Sequence, residues 1–338
     1  MLDIDEEVRR SNPWWGDPRN LRDDPHLKEF RNASFQWDPP VLTELRLDRP
    51  AIHTLRGPRQ VGKTTTLKRL VERHLPDEGC SVGYFSFDLV DDPAAVLEVV
   101  RSMRRQHPST EERWLFLFDE ITQLEEWTRG VKYAWDQGLI REDTLLLTGS
   151  SARDMVEGAE LLPGRRGEDH DYVQLPMSFR SFVEQIGDLE LSLPVVDPSD
   201  LLGDRAHSHV RRVALQLEDL NELLGAYLTC GGLPAPVRDW LRAGSVTQRS
   251  LRSIWQAVAG DLNKSDLKRE TGLKLIERVA ISQGSPFAWT AAGRDMDVHP
   301  NTVKRYVRFL TLGFTLLPLY FWDLSEARFN KSKQRKIY

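Results

Sequence analysis

A glycine-rich loop that ends in a lysine and a threonine is the strongest chemical signal in the sequence. Residues 57–64 read GPRQVGKT and fit the pattern G-x-x-x-x-G-K-[ST]. Backbone N–H groups of such a loop can surround phosphate oxygens, and their close approach favours glycine. The residues predicted to contact a nucleotide are Gly57, Pro58, Arg59, Gln60, Val61, Gly62, Lys63, Thr64 and Thr65.

The stretches on either side of this loop predict the setting that it needs. Residues 51–55 have the pattern of a buried strand, and residues 64–75 that of an amphipathic helix. The positive end of the helix dipole would then face the phosphates. We expect Lys63 to reach the β- and γ-phosphate oxygens and the Thr64 hydroxyl to ligate Mg²⁺.

Two adjacent carboxylates follow the most apolar strand of the first half. Residues 113–120 read RWLFLFDE, a continuous apolar run typical of a strand buried on both faces of a parallel sheet. The carboxyl ends of parallel strands gather at one edge, where ligands bind. We therefore predict that Asp119 serves the Mg²⁺ shell through water and that Glu120 acts as general base on the attacking water. The competing interpretation is an acidic cap on the next helix.

Polar residues at the end of a further strand, residues 143–148, are candidates for sensing the γ-phosphate. They are Thr148, Ser150 and Ser151, of which Ser150 is the preferred catalytic candidate; a serine N-cap of the following helix is the alternative. The loop after that helix carries Arg165 and Arg166. Either could supply a transition-state arginine, within the chain or to a neighbouring copy, or be a solvated surface residue.

Composition restricts the class of protein. The chain has 338 residues, a formal net charge of −5 and two cysteines, Cys80 and Cys230. This length predicts at least two domains, and the charge gives no overall nucleic-acid signature. Two cysteines do not form a disulfide framework, and we see neither a leader sequence nor a membrane span. We therefore expect a cytoplasmic protein without a membrane partner.

The pattern of apolar residues and prolines predicts five segments. An extended, tryptophan-bearing strap, with one short helix expected around residues 26–32, would pack on the core through Trp14, Trp15 and Trp37, or alternatively cover the adenine base. The predicted segments are a strap (1–40), an α/β core with a five-stranded parallel sheet (41–186), a linker (187–205), a helical domain (206–284) and a winged-helix module with a basic tail (285–338). An extra strand is expected between the loop strand and the Asp-Glu strand.

The last segment contains a second candidate site. Its pattern predicts a helix, a turn at residues 297–300, a second helix from Asn301 and then a β-rich run, which is typical of a winged helix. Lys304, Arg305 and Arg308 lie on the second helix, where they could contact DNA. Such modules also bind proteins, and three basic residues on a helix are often only a solvated surface.

Taken in order, these motifs resemble a prokaryotic family of AAA-type ATPases. The resemblance is carried by GPRQVGKTT, LFLFDEIT, LTGSSA, LLPGRR, GGLP and HPNTVKRYVRFL. It implies an ATPase core, a winged-helix region and a further C-terminal domain of uncharacterised function, often likened to a restriction endonuclease. It also implies a sensor role for Ser150 and places Arg165 on the glycine-arginine step of the family. Because this chain ends at Tyr338, before that domain would begin, we carry over no nuclease activity.

These observations lead to three hypotheses. The first is an ATP-binding, Mg²⁺-dependent ATPase that moves a DNA- or protein-binding module, with oligomerisation and the arginine's mode of action left open. The second is a nucleotide-dependent scaffold with negligible turnover. The third is a DNA-binding regulator. Phosphate release measured alone, with DNA and at rising protein concentration would separate the first two, and salt-sensitive DNA binding would identify the third.

Overall fold

The computed structural model describes most of the chain. The described residues are 3–77, 79–108, 113–162, 164–165, 171–187, 211, 214–263, 267–323 and 328–338. Most of the linker predicted at 187–205, and Arg166, lie outside these ranges. Within them, no helix combines the length and the apolar character needed to cross a membrane.

Five parallel strands form the central sheet. Their bounds are β1 (Ala51–Arg56), β2 (Cys80–Ser86), β3 (Arg113–Asp119), β4 (Thr144–Thr148) and β5 (Asp171–Val173). They are arranged in the order β2-β3-β4-β1-β5, so β4 separates the loop strand from the strand that ends in Asp119. The predicted α/β fold with a five-stranded parallel sheet and an intervening strand is therefore confirmed. The carboxyl ends of β1, β3 and β4 lie at one edge of this sheet.

Helices cover both faces of the sheet. They are α1 (Ile4–Ser11), α2 (Pro25–Asn32), α3 (Val41–Glu44), α4 (Lys63–His74), α5 (Ala95–Gln106), α6 (Trp127–Asp136) and α7 (Ala152–Glu160). A further helix, α8 (Phe179–Ile186), packs with residues of the helical region that follows the core. Strand β3 shows why its sequence is apolar throughout. Phe116 and Phe118 pack with residues of α5 and α6, whereas Leu115 and Leu117 pack on the opposite face with residues of α4. Successive side chains of a strand point to opposite faces, and here both faces are core.

The N-terminal segment is largely helical, so the prediction of an extended strap was wrong, apart from the short helix predicted around residues 26–32, which is α2. α1 and α2 flank two short 3₁₀ helices, Pro13–Trp15 and Pro18–Asp23. The prolines occupy first-turn positions, where the missing N–H costs nothing, so they start these helices instead of preventing them. Trp14 is 1% exposed within the core beside α4, as expected. Trp37 instead packs against residues of the helical region.

A helical region follows the core, as predicted. It comprises α9 (Leu217–Cys230), α10 (Pro234–Ala243), α11 (Gln248–Asn263) and α12 (Arg269–Ile281). α9 ends at Gly231, whose φ of +66° is a conformation that favours glycine. The region is tied to the core because Met177, after β5, donates its N–H to Gly232 and accepts a hydrogen bond from the Tyr227 hydroxyl (2.9 and 2.8 Å).

The C-terminal segment consists of two helices and a β-hairpin. α13 (Trp289–Asp295) and α14 (Pro300–Leu312) precede β6 (Pro318–Asp323) and β7 (Arg328–Ile337), which pair antiparallel. The predicted basic tail was therefore wrong as a tail, because residues 328–337 form a strand. Arg335 is only 8% exposed, and its guanidinium carbon lies 4.7 Å from the centre of a Trp289 ring.

Candidate functional site

The loop between β1 and α4 has the backbone geometry of a phosphate cradle. Gly62 has a φ of +95°, which side chains of L-residues rarely permit. A Cβ atom on Gly57 would lie 2.2 Å from the carbonyl oxygen of Gln174, which follows β5. Both glycines are thus required by the fold of the loop. The Thr66 N–H donates to Gly62 O (2.9 Å), so the helix begins directly after the loop.

Lys63 lies inside the loop instead of extending into solvent. Its Nζ donates to the carbonyl oxygens of Gly57 (3.0 Å) and Pro58 (3.1 Å), and the residue is 7% exposed. Burial lowers the pKa of the Lys63 ammonium, while the nearby Glu120 and Asp119 carboxylates oppose that shift. The loop carbonyls therefore hold a partly desolvated cation at the place where phosphate oxygens would lie.

The Asp119 carboxylate receives four hydrogen bonds, and the residue is 2% exposed. The Thr64 hydroxyl donates to its Oδ2 at 2.6 Å, and the Tyr84 hydroxyl donates to the same atom at 3.1 Å. Its Oδ1 accepts from the Thr148 hydroxyl and from the Glu120 N–H. Hydrogen bonds to a charged group contribute about 1.5–3 kcal/mol each. The carboxylate is therefore held in one orientation beside the Thr64 hydroxyl.

Glu120 lies at the edge of the cavity in a strained backbone conformation. Its φ is +52°, a left-handed value that costs of order 1–3 kcal/mol for a residue other than glycine. Its Oε2 accepts a 2.8 Å hydrogen bond from the Ser150 N–H. Burial raises the pKa of the Glu120 carboxyl, and the Ser150 hydroxyl and N–H lower it. Such strain persists only where surrounding contacts fix it, and it often marks a functional position.

The strand-end candidates have three different partners. Thr148 donates to Asp119, and Ser150 contacts Glu120 through its N–H. The Ser151 hydroxyl accepts from the Asp154 N–H at 3.3 Å, which makes Ser151 the N-cap of α7. The capping alternative therefore describes Ser151. Thr148 and Ser150 lie next to the acidic pair, and their contact with a phosphate stays a prediction.

Arg165 lies at the other edge of the sheet. Its carbonyl oxygen accepts a hydrogen bond from the Ile52 N–H at the start of β1 (3.2 Å), whereas the phosphate loop follows the end of that strand. Its guanidinium pairs with Asp136 at 2.7 Å. Six strand residues separate the two edges by roughly 20 Å. Of the two modes of action that the sequence leaves open for Arg165, this position argues against action within its own chain. Action on a neighbouring copy stays a prediction.

A cavity of about 740 Å³ adjoins the loop. The loop residues, together with Glu120 and Gln174, line one side of it. The N-terminal segment and the helical region supply the rest, including Phe30, Phe35, Trp37, Arg238 and Ser253. Pockets for cofactor-sized ligands measure about 300–1,000 Å³. The cavity is therefore large enough for a nucleoside triphosphate.

The helical region contacts the loop directly. The Arg59 guanidinium pairs with Asp261 of α11 at 2.5 Å, and Gln60 Nε2 donates to the Ser253 hydroxyl at 2.5 Å. On the far side of the cavity, Arg238 of α10 pairs with Glu29 of α2 at 2.5 Å. The phosphate loop, the N-terminal segment and the helical region thus meet around one space.

The side chains at this edge fit a hydrated Mg²⁺ ion. The Thr64 hydroxyl donates its hydrogen bond to Asp119, which leaves the lone pairs of the hydroxyl oxygen available to a cation. Mg²⁺ prefers hard oxygen ligands, keeps several waters and binds through one or two protein oxygens together with phosphates. Thr64 and Asp119 provide that donor set beside the loop.

Two residues of the site had not been identified from the sequence. Gln174, 2% exposed after β5, donates from Nε2 to Val61 O and accepts at Oε1 from the Thr66 hydroxyl, both at 2.9 Å. It fixes the loop from the neighbouring strand. Tyr84 reaches Asp119 from β2. Only its place on a strand beside β3 would have indicated this contact, because a tyrosine in an apolar strand usually belongs to the core.

Lys304, Arg305 and Arg308 belong to a separate surface. All three are exposed on α14, opposite a buried face of the same helix. That face is formed by Val303, Tyr306, Val307 and Leu310.

The strand order, the loop after β1 and the acidic pair after β3 define a P-loop fold of the AAA type. Residues 49–183 match the family model described as an AAA domain. No protein of curated function matches the sequence. The family match covers the five strands and helices α4 to α7 and ends within α8.

Several solved structures resemble the chain at low identity. The ORC1 protein of Aeropyrum pernix, in complex with DNA, shares 15% identity with a TM-score of 0.33, covering 96% of this chain and 92% of its own. The ORC2 protein of Aeropyrum pernix, in its ADPNP-ADP complexes, shares 12% with a TM-score of 0.41, covering 97% and 89%. AMPPCP-bound DnaA from Aquifex aeolicus shares 15% with a TM-score of 0.29, covering 80% and 84%. Because all three TM-scores are below 0.5, the assignment of an AAA-type P-loop fold rests on the strand order and the family match.

Proposed function

We propose that the protein is a Mg²⁺-dependent ATPase of the AAA type whose nucleotide state changes the position of its helical and C-terminal segments. The observation that carries this proposal is the hydrogen bond from the Thr64 hydroxyl to Asp119, with Glu120 the next residue in the chain, beside the buried Lys63. Each has the chemical type and position that phosphoryl transfer to water needs. Two variants of the site test it: Lys63→Ala should lose ATP binding, whereas Glu120→Gln should keep ATP binding and lose phosphate release.

The residues of the chain would divide the reaction between them. Loop N–H groups and Lys63 bind the phosphates, and Thr64 and Asp119 hold the cation, which neutralises charge on the phosphate oxygens when bound. Glu120 orients the attacking water and accepts its proton. Ser150 fixes the Glu120 carboxylate through the 2.8 Å hydrogen bond from its N–H. If hydrolysis also needs an arginine from a neighbouring copy, such as Arg165, the rate of ATP hydrolysis per chain would rise with protein concentration.

Two contacts of the loop support coupling to the helical region. Arg59 and Gln60 belong to the loop and bind Asp261 and Ser253 of α11. Phosphate oxygens beside Arg59 would compete with the Asp261 carboxylate for the guanidinium. Occupied and empty sites therefore differ in the free energy of this interdomain contact, as a nucleotide-driven switch requires.

Aromatic residues of the N-terminal segment support a subsite for the adenine base. Phe30, Phe35 and Trp37 line the cavity, and the Arg69 guanidinium carbon lies 5.0 Å from the centre of the Phe30 ring. Phe35 and Trp37 also pack against the helical region, so Phe30 is the better residue to vary.

Phe30→Ala is expected to weaken ATP binding by about tenfold and to leave inorganic tripolyphosphate binding unchanged, because stacking on a base contributes about 1–3 kcal/mol. Both affinities can be measured by competition against a fluorescent nucleotide. Phe329→Ala, at a ring position that is 61% exposed on β7, is the matched control. Equal losses for ATP and tripolyphosphate would contradict a base subsite at Phe30.

A DNA-binding role is favoured by one further observation. Lys304, Arg305 and Arg308 share the exposed side of α14, which a β-hairpin follows, as in a winged helix. Replacing all three by alanine is expected to weaken the binding of duplex DNA strongly, and to lower the salt slope of the binding that remains by about three.

The control removes three positive charges from the surface of the α/β domain. It replaces Arg101, Arg129 and Lys132, which are exposed on α5 and α6. DNA binding that is undiminished in the α14 variant, or that is weakened equally in both variants, would exclude this face. Nucleotide-dependent DNA binding with no phosphate release would instead support the scaffold alternative.

A further inference from the structure

A buried series of contacts connects the N-terminal segment to Asp119. The Asp24 carboxylate pairs with Lys68 Nζ at 3.2 Å, and the two side chains are 8% and 6% exposed. Lys68 Nζ lies 3.4 Å from the centre of the Tyr84 ring. The Tyr84 hydroxyl donates to Asp119 Oδ2 at 3.1 Å. Four elements, from the residue preceding α2 to the end of β3, are thus joined through side chains.

The lysine at the centre of this series is unusual. An ammonium group loses its hydration on burial, and a single carboxylate offsets that cost only partly. The ring faces of Tyr84 and Trp14 (5.2 Å) supply the rest of its surroundings. An apolar side chain at this position of α4 would avoid the desolvation cost. The charge therefore calls for an explanation other than stability.

Tyr84 occupies the position from which a side chain of β2 can reach Asp119. β2 is paired with β3 in register, with Tyr84 beside Leu117 and Ser86 beside Asp119. The Oδ2 atom that Tyr84 contacts is the one that also accepts the Thr64 hydroxyl. A cation against the ring face restricts the ring, and the ring hydroxyl restricts the carboxylate.

We infer that Tyr84 is a positioning residue for the Asp119 carboxylate, and that Lys68 and Asp24 hold Tyr84 in place, so that the N-terminal segment is coupled to the cation site. This inference rests on the proposed function, because it assigns Asp119 to a cation. Outer contacts of this kind set the orientation of metal-binding groups, and their loss typically costs 10- to 100-fold in metal affinity.

The test measures cation affinity separately from nucleotide affinity. Mn²⁺ binding to the full chain, saturated with a nonhydrolysable ATP analogue, can be followed from the electron paramagnetic resonance signal of free Mn²⁺. Tyr84→Phe is expected to raise the Mn²⁺ dissociation constant about tenfold. Analogue affinity in EDTA should change less than about twofold, since Tyr84 does not line the cavity.

Tyr172→Phe is the matched control. Tyr172 is 8% exposed on β5, and its hydroxyl accepts the Arg46 N–H at 3.1 Å, so it contacts a different part of the chain. Equal Mn²⁺ affinities of the Tyr84 and Tyr172 variants would overturn the inference. A wild-type chain that binds no nucleotide would instead overturn the proposed function, which keeps the two failures distinct.

Asp24→Asn tests the N-terminal end of the series. Asp24 Oδ1 caps α2 by accepting from the N–H groups of His26 and Leu27 (3.0 and 3.1 Å), and asparagine is an equally good cap. The variant therefore removes the charge and keeps the helix start. We expect a several-fold rise in the Mn²⁺ dissociation constant. Lower thermal stability with unchanged Mn²⁺ affinity would overturn the coupling. If Tyr84→Phe does not fold, Asp24→Asn still tests the inference.

Discussion

Lys63→Ala is expected to abolish detectable ATP binding. The Lys63 ammonium is buried within the loop and would donate to phosphate oxygens in place of the Gly57 and Pro58 carbonyls. Two charge-assisted hydrogen bonds of about 1.5–3 kcal/mol each correspond to a loss of roughly 100-fold or more in affinity. Thermal unfolding measures this loss, because ligand at 100 times its dissociation constant stabilises a protein by about 2.7 kcal/mol.

ATP should therefore raise the melting temperature of the wild-type chain by several degrees and leave that of the Lys63 variant unchanged. Lys132→Ala, an exposed lysine on α6, is the control for loss of one positive charge. A Lys63 variant that ATP stabilises as much as the wild type would show that the loop is not the nucleotide site.

Glu120→Gln is expected to keep nucleotide binding and to reduce phosphate release by about 100-fold or more, within the range attributed to a general base. The amide keeps the size of the side chain but cannot accept the proton of water. Its oxygen can still accept the hydrogen bond from the Ser150 N–H, so the position of the side chain is preserved. Binding and steady-state phosphate release measured on one preparation separate the two effects.

Glu126→Gln is a suitable control because Glu126 has the same φ of +52° and pairs with Arg129 on the surface. Glu126→Gln makes the same carboxylate-to-amide change at the same left-handed φ, but at a position away from Asp119 and Glu120. Phosphate release that is unchanged in Glu120→Gln would reject Glu120 as general base. A loss of binding together with release would make its role structural.

The parts of the fold that follow from local chemistry were predictable. The loop needs glycines, lysine and threonine at fixed spacing, and β3 needs apolar residues on both faces, so each has a sequence pattern of its own. The order of strands then places Asp119 and Glu120 beside the loop. Those residues could be named as candidates before their distances were known.

The parts that depend on long-range contacts were not predictable. Gln174, just after β5, and Tyr84, within β2, have no distinctive sequence pattern, and their roles arise from neighbours more than 30 positions away. Arg165 has the right residue type in a suggestive loop, but that loop returns to the start of β1. A proline fits the first turn of a helix but disrupts its interior. The prolines of residues 1–40 suggested extended chain because the sequence alone did not show that they occupy first turns.

The most direct test of the account is a calorimetric titration of the full chain with a nonhydrolysable ATP analogue in Mg²⁺. We expect one nucleotide per chain with a dissociation constant of about 1–100 μM, which corresponds to roughly −8 to −5 kcal/mol. Removing Mg²⁺ should weaken this binding, because the ion would no longer link Thr64 and Asp119 to the phosphate oxygens. No binding at millimolar analogue, or binding of equal strength with and without Mg²⁺, would contradict a nucleotide site built on the loop and Asp119.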